Sequence, residues 1–168
     1  MTTLYYFSVF LHILAAMTWI GGMIFIATVV VPVIRRPQLQ SFATRLVDWT
    51  GRRFRAVGWI SLNTLIITGT YNLIYRFGWD GFWQGEPWQG EFGQTLMYKL
   101  FFVAVVLALS AYHDFRVVPK ATAGADCNLS TDEVERFRKQ ASLLGRLNLL
   151  FNLVILFFAL SLVRGLPW

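Results

Sequence analysis

Cysteine is almost missing from this chain, which carries one, Cys127, in 168 residues. A single thiol excludes an internal disulfide framework and any Cys-x-x-Cys metal site. Set in a polar stretch, Cys127 reads as a neutral loop residue. Histidine is nearly as scarce, with only His12 and His113. A zinc centre needs three or four protein ligands, and two histidines with few buried acids cannot supply them. Charge is also thin, at 14% of positions, and fifteen Lys and Arg outnumber nine acids to leave a formal +6. A basic balance points first to nucleic acid, but here the basic residues lie almost wholly between apolar runs, with no stripe of stacking aromatics beside them. Nucleic acid is therefore excluded as a partner. Internal repeats and low-complexity runs are missing too.

Hydrophobic sequence fills the rest. Apolar residues make up 56% of the chain, more than a soluble domain of this size would bury, so most of the solvent is a lipid bilayer. A span needs about 20 apolar residues to cross roughly 30 Å of hydrocarbon. Segments 4–34, 56–75, 96–118 and 142–165 meet that requirement. The first has no basic leader, and its apolar run exceeds the roughly 7–15 residues of a signal peptide core, so it is expected to be retained. Four spans with short connections predict one all-α domain over residues 1–168, an integral membrane antiparallel four-helix bundle.

Basic residues near span ends mark the cytoplasmic side. Arg35, Arg36, Arg45, Arg52, Arg53 and Arg55 follow the first span, against one acid, Asp48. Arg116, Lys120, Arg136, Arg138 and Lys139 lie between the third and fourth, with Arg146 just inside the fourth. The connection between the second and third spans has only Arg76 and Lys99 at its edges. Both termini are thus expected to be extracytoplasmic, in a plasma membrane of bacterial type.

Proline and charge at Pro32 and Arg35-Arg36-Pro37 are expected to stop the first span, leaving residues 41–49 as a short amphipathic stretch on the inner surface. Residues 77–94 alternate Gly with Trp79, Phe82, Trp83, Trp88 and Phe92. They read as an outer loop forming an interfacial aromatic belt, or as a lid over an outward-facing pocket. Ser130-Thr131-Asp132-Glu133 has the spacing of a capping box, so the last helix should begin there, in water.

Ionisable groups inside a span are costly and carry the functional hypotheses. With span centres near residues 19, 66, 107 and 154 and about 1.5 Å per residue, His12 sits roughly 10 Å and Lys99 roughly 12 Å outward of the midplane. The two are level and could share a pocket; alternatively Lys99 snorkels to the headgroups. His113 falls roughly 9 Å inward, so one haem cannot be held between His12 and His113, which are about 19 Å apart along the normal. His113 sits beside Asp114 and Arg116 and level with Arg146 and Asn148, either as a second metal ligand or as a hydrogen-bonded structural residue. His12, Ala16, Trp19 and Met23 share one helical stripe. Ala15, Ala16, Gly21 and Gly22 nearby would let a flat ligand or another helix approach. Tyr71, Asn72, Tyr75 and Arg76 end the second span at the depth of His12, and Arg76 is the natural partner for haem propionates. Copper prefers thiolate, thioether and imidazole ligands; here Met17 lies off the His12 stripe, Met23 lies further in, and no Met-x-x-Met relay exists.

The run Leu11-His12-Ile13-Leu14-Ala15-Ala16-Met17-Thr18-Trp19-Ile20-Gly21-Gly22-Met23 resembles the opening of copper resistance protein D (CopD) family membrane proteins. Thr68-Gly69-Thr70-Tyr71-Asn72-Leu73 and Ala111-Tyr112-His113-Asp114-Phe115 fit the same pattern. More distantly the chain is similar to HemJ-type protoporphyrinogen oxidases, small four-helix proteins that hold haem b. That resemblance implies roles for His12, Lys99 and His113, and Gly145-Arg146-Leu147-Asn148 matches the start of the family's last helix. The chain departs from it at Gly22-Met23-Ile24-Phe25-Ile26, where the HemJ pattern has Gly-Leu-Phe-Tyr-x-Pro-Arg.

Three functions are therefore expected to compete. The first is haem b-dependent membrane redox chemistry on a tetrapyrrole or quinol-like substrate, with His12 as axial ligand, Lys99 as opposite ligand or propionate partner, Trp19 and Arg76 around the cofactor, and His113 as a separate, inner candidate for cofactor or metal binding. The second is copper transport or resistance through His12, Met17 and Met23. The third is a cofactor-free accessory subunit of a larger membrane complex.

Overall fold

The computed structural model describes residues 2–34, 36–122 and 130–164, with backbone alone at 39–44 and 131. Cys127 lies outside the described residues. Lipid offers no partner for backbone N–H and C=O groups, so an apolar chain of this kind must satisfy them within helices. The elements are α1 (Thr2–Phe25), α2 (Val31–Ile34), α3 (Gln40–Trp83), α4 (Gly90–Tyr112), α5 (Val118–Thr122) and α6 (Thr131–Arg164). Four long helices result, because α1 continues into α2 and α4 into α5, each through a π-helical turn, Ile26–Val30 and His113–Val117.

Both π turns have the same cause. Pro32 and Pro119 follow them by two residues. A proline ring clashes with the carbonyl four residues back and donates no hydrogen bond, and a locally widened turn absorbs both effects without ending the helix. The first span accordingly runs through Pro32 and ends at Ile34, the bound its apolar run of 4–34 predicts.

The second helix is longer than expected. Residues 41–49 are not a separate surface stretch but the opening of α3, which continues to Trp83. Its path bends at Gly78, whose φ of 75° and ψ of 166° belong to a backbone region that only glycine adopts readily. Residues 77–94 are thus mostly helical, with a 3-10 turn at Glu86–Trp88 before α4. The last helix starts where its capping box places it. The Ser130 backbone N–H donates to Glu133 Oε2 at 2.8 Å, and the Glu133 N–H donates to Ser130 Oγ at 3.3 Å. The first of these, together with the Ser130 hydroxyl donating to Glu133 Oε2 at 3.0 Å, holds the Glu133 carboxyl below its ordinary range.

α1 packs along α3, α4 along α6, and α6 also meets α1, giving an all-α antiparallel bundle. Three helices, Thr2–Ile34, Gly90–Thr122 and Asp132–Arg164, are long and apolar enough to cross a membrane. α3 is long enough, but Asn63, Thr64, Thr68, Thr70 and Asn72 dilute its apolar character. The core is Trp19, Met23, Leu62 and Val106, with Phe54, Trp59, Leu149 and Phe151 against it. Two glycines set the α1–α3 spacing. A Cβ at Gly58 would fall 2.2 Å from Trp19 Cζ3, and one at Gly22 would fall 2.3 Å from Phe54 Cε2. Trp19 and Phe54 stack with centroids 5.4 Å apart and planes 2° from parallel. Close backbone approach through small residues is how helices gain dispersion contacts in a solvent as apolar as themselves.

Candidate functional site between α1 and α3

His12 projects from α1 onto α3. Its Nδ1 lies 2.8 Å from Thr68 Oγ1, while Thr68 Oγ1 lies 2.6 Å from the Thr64 carbonyl. A carbonyl cannot donate, so the single hydroxyl proton of Thr68 goes to Thr64, and Thr68 can only accept from the imidazole. That assigns the proton to Nδ1 and leaves the lone pair on Nε2, which has no hydrogen-bond partner among the described residues. Gly69 makes the approach workable, since a Cβ there would stand 3.2 Å from His12 Cε1. The Leu65 carbonyl also borders the ring.

Lys99 comes in from α4, near enough for its ammonium to act electrostatically on the imidazole. It is half-buried and has no ion pair among the described residues. One turn toward the start of α1, Ser8 and Asn72 lie level across α1 and α3, in line with the stacking of Tyr5 on Tyr75 at 4.3 Å one turn further. Ser8 Oγ and Asn72 Oδ1 are buried without partners. Among the described residues this cluster therefore holds an imidazole with a free lone pair, a cation without an ion pair and two unpaired oxygens.

Three other candidates are placed elsewhere. Arg76 is turned onto aromatic rings, its guanidinium carbon 4.3 Å from the Phe92 centroid and 5.7 Å from that of Phe77. Trp19 is 5% exposed in the core between Phe54 and Gly58, its Nε1 buried and unpaired. His113 belongs to a separate cluster toward the end of α4, where its Nδ1 meets Asp114 Oδ1 at 2.9 Å and Asp114 Oδ2 accepts from Trp59 Nε1 at 3.0 Å. Beside it, Asn148 Nδ2 donates to Ser110 Oγ at 3.0 Å, while Arg146 is exposed. Met17 is 67% and Met97 58% exposed, and Met23 lies in the core. An open cleft of about 510 Å³ runs between α1 and the start of α3, lined by Thr18, Gly22, Phe25, Trp49, Arg53 and Phe54 among others. It holds neither histidine.

Thr68 was not singled out by sequence reasoning. Its signal was a hydroxyl pair, Thr64 and Thr68, one turn apart and followed by Gly69.

A family model described as copper resistance protein D matches residues 50–164. The chain belongs to the CopD family. This CopD-family chain is also similar to an uncharacterized protein of Aquifex aeolicus (strain VF5), 30% identical over 158 residues that cover 93% of each chain. No solved structure matches it. The family match takes in Thr68, Lys99 and His113 but begins after His12. Among the described residues no group of three or more His, Cys, Asp or Glu side chains could hold a metal ion.

Proposed function

We propose that this CopD-family protein binds haem b at the outer cluster and serves membrane redox chemistry, with His12 as the protein's axial ligand. The observation that carries the reading is the Thr64–Thr68–His12 chain of hydrogen bonds. An imidazole that ligates a metal through one nitrogen commonly donates from the other to a fixed acceptor, which sets the tautomer and ring orientation. The donor inventory favours haem over a bare ion. A macrocycle brings its own four nitrogens, so one protein imidazole suffices. A bare copper ion needs several soft donors, and His12 has no sulfur ligand beside it. The propionates of a haem would also supply the anions that Lys99 lacks. When bound, such a group would supply one-electron chemistry, tuned by axial ligation, burial and nearby charge.

The protein's orientation in this reading follows the basic residues, with both termini outside a plasma membrane of bacterial type and His12 in the outer half. The electron donor would be a tetrapyrrole or quinol-like molecule reaching the site from the bilayer.

Copper handling is the second reading, favoured by membership of a family described by copper resistance. It requires His12 to work with methionines that the fold directs elsewhere. A reduced-minus-oxidised visible spectrum of protein purified in mild detergent after expression with ample haem separates these readings. A b-type α band that disappears in His12→Ala supports haem ligation at this site. A colourless protein carrying stoichiometric copper supports the second reading. A protein with neither sinks both and leaves an accessory role in a membrane complex.

A further inference from the structure

The open cleft of about 510 Å³ between α1 and the start of α3 contains a single charge. Phe25 and Ile26 line it from the end of α1 and the π turn that follows, and Trp49, Phe54 and Val57 line it from α3. The hydroxyl of Thr18, also in the lining, is already committed to the Leu14 carbonyl at 2.8 Å. Arg53 is the one ionisable side chain among the lining residues. Positions 49, 50, 53, 54 and 57 share one face of α3 through their spacing of three and four, which is what brings a guanidinium to this otherwise apolar surface.

No carboxylate answers Arg53. Asp48 is the one acid among the first 79 residues, and Arg52 holds it, Nε donating to its two oxygens at 3.0 and 2.9 Å. Arg52 is turned about 100° from Arg53 around α3 and does not line the cleft. Arg53 is exposed and has no ion pair among the described residues. Its depth makes that costly. Phe54 meets Gly22, which lies about 18 Å of helix before the apolar span ends at Ile34. Arg53, next to Phe54, therefore leaves α3 alongside the exposed Ile24 and Phe25, where a guanidinium must find an anion or reach back to the headgroups.

We infer that the cleft is a binding site for an anionic phospholipid, its phosphodiester held by Arg53 and one acyl chain running past Phe54 and Val57 toward the middle of the bilayer. The lining asks for a ligand that is apolar over most of its length and carries one anionic group. A guanidinium meets a phosphate with paired, charge-assisted hydrogen bonds. A soluble anion would leave the apolar walls uncovered, and a lipid without net charge would leave the arginine without a counter-ion. Basic pockets between membrane helices take anionic headgroups for this reason. Because the cleft is open, a phospholipid reaches it sideways without leaving the hydrocarbon.

Trp49 lines the cleft and reports on its contents. Its fluorescence, taken as wild type minus Trp49→Phe, is followed in vesicles of mixed phosphatidylglycerol and phosphatidylcholine in which the chains of one lipid or the other are brominated. Quenching should show a preference for phosphatidylglycerol of roughly five-fold, the ratio one arginine near an anionic lipid confers. Arg53→Gln should bring the preference close to one, and Arg53→Lys should restore most of it, which separates lost charge from misfolding. Arg52→Gln removes the same charge outside the cleft and should leave the preference intact. Val57→Phe fills the cleft without altering charge and should lower it. Equal quenching by the two lipids overturns the site, as does a preference that Arg52→Gln lowers as much as Arg53→Gln. A preference that survives Val57→Phe overturns the placement of the chain, and one abolished by added glycerol phosphate shows a soluble anion to be the ligand instead. None of these readouts uses haem or copper, so they stand apart from the fate of the haem reading.

Discussion

Thr68 holds His12 from one helix away: the hydroxyl accepts from the imidazole at 2.8 Å and donates its own hydrogen bond to the Thr64 carbonyl at 2.6 Å. If His12 ligates haem as proposed, removing the hydroxyl should loosen that ligand without removing it. Thr68→Val is expected to weaken haem binding by roughly 10–100-fold, the usual cost of losing a partner that orients a ligand, whereas Thr68→Ser keeps most of the affinity. Haem titration of the apoprotein, followed by absorbance, checks both. Equal affinity in Thr68→Val and wild type would separate the hydrogen bond from ligation.

Gly58 and Gly51 lie two turns apart on α3 and make opposite predictions. A methyl at Gly58 would collide with the rigid Trp19 ring, while a Cβ at Gly51 meets nothing within 4 Å. Gly58→Ala should destabilise the protein by about 1–3 kcal/mol through overpacking. Gly51→Ala should be neutral or stabilising by up to about 1 kcal/mol, since alanine is the better helix former. Thermal unfolding in one detergent, with the two variants side by side, measures the difference.

Asp114 accepts from both His113 and Trp59, joining α3 to the π turn after α4. Asp114→Ala leaves the Trp59 N–H without its partner and should cost about 1–3 kcal/mol. Trp59→Phe/Asp114→Ala removes both sides of that bond and should cost less than the two single changes added together. Unfolding midpoints of the four proteins give the coupling.

Ser130 and Glu133 make a pH prediction. Glu133 is held below its ordinary value of 4.5, first by the Ser130 backbone hydrogen bond and then by the Ser130 side chain. A depressed carboxyl contributes stability that is fully present above its unfolded value and is lost as pH falls through the lowered folded value. Hydrogen exchange in the first turn of α6, corrected for intrinsic rates, should therefore be constant from pH 7 to 5 and rise below about 4.5. Ser130→Ala should raise exchange there by roughly five-fold at neutral pH, the ratio an N-cap residue typically controls. No rise in acid would show that the box does not hold the helix start.

Several features were legible because they depend on local chemistry. Apolar runs had to be helices, and Ser130 with Glu133 had to start one. The expectation that His12 and Lys99 lie level rests on the constant rise per residue along a helix. Tyr71, Asn72, Tyr75 and Arg76 were expected at the depth of His12, but the α3 residue that meets His12 is Thr68, one turn before Asn72. The count assumed that the second helix was no longer than its apolar part, whereas α3 runs from Gln40 to Trp83 and is offset against α1.

Sequence alone determined the membrane setting, the four long helices, the capping box and the scarcity of metal donors, because each follows from composition or from residues a few positions apart. Only the tertiary structure decided that His12 meets Thr68, that Arg76 lies on Phe92, that Trp19 is core and that Asn63 faces outward. Periodicity shows which residues share a face of one helix. The rotation of each helix about its own axis is set by packing against the others, through contacts such as Gly58 with Trp19 and Gly22 with Phe54, between residues far apart in the chain.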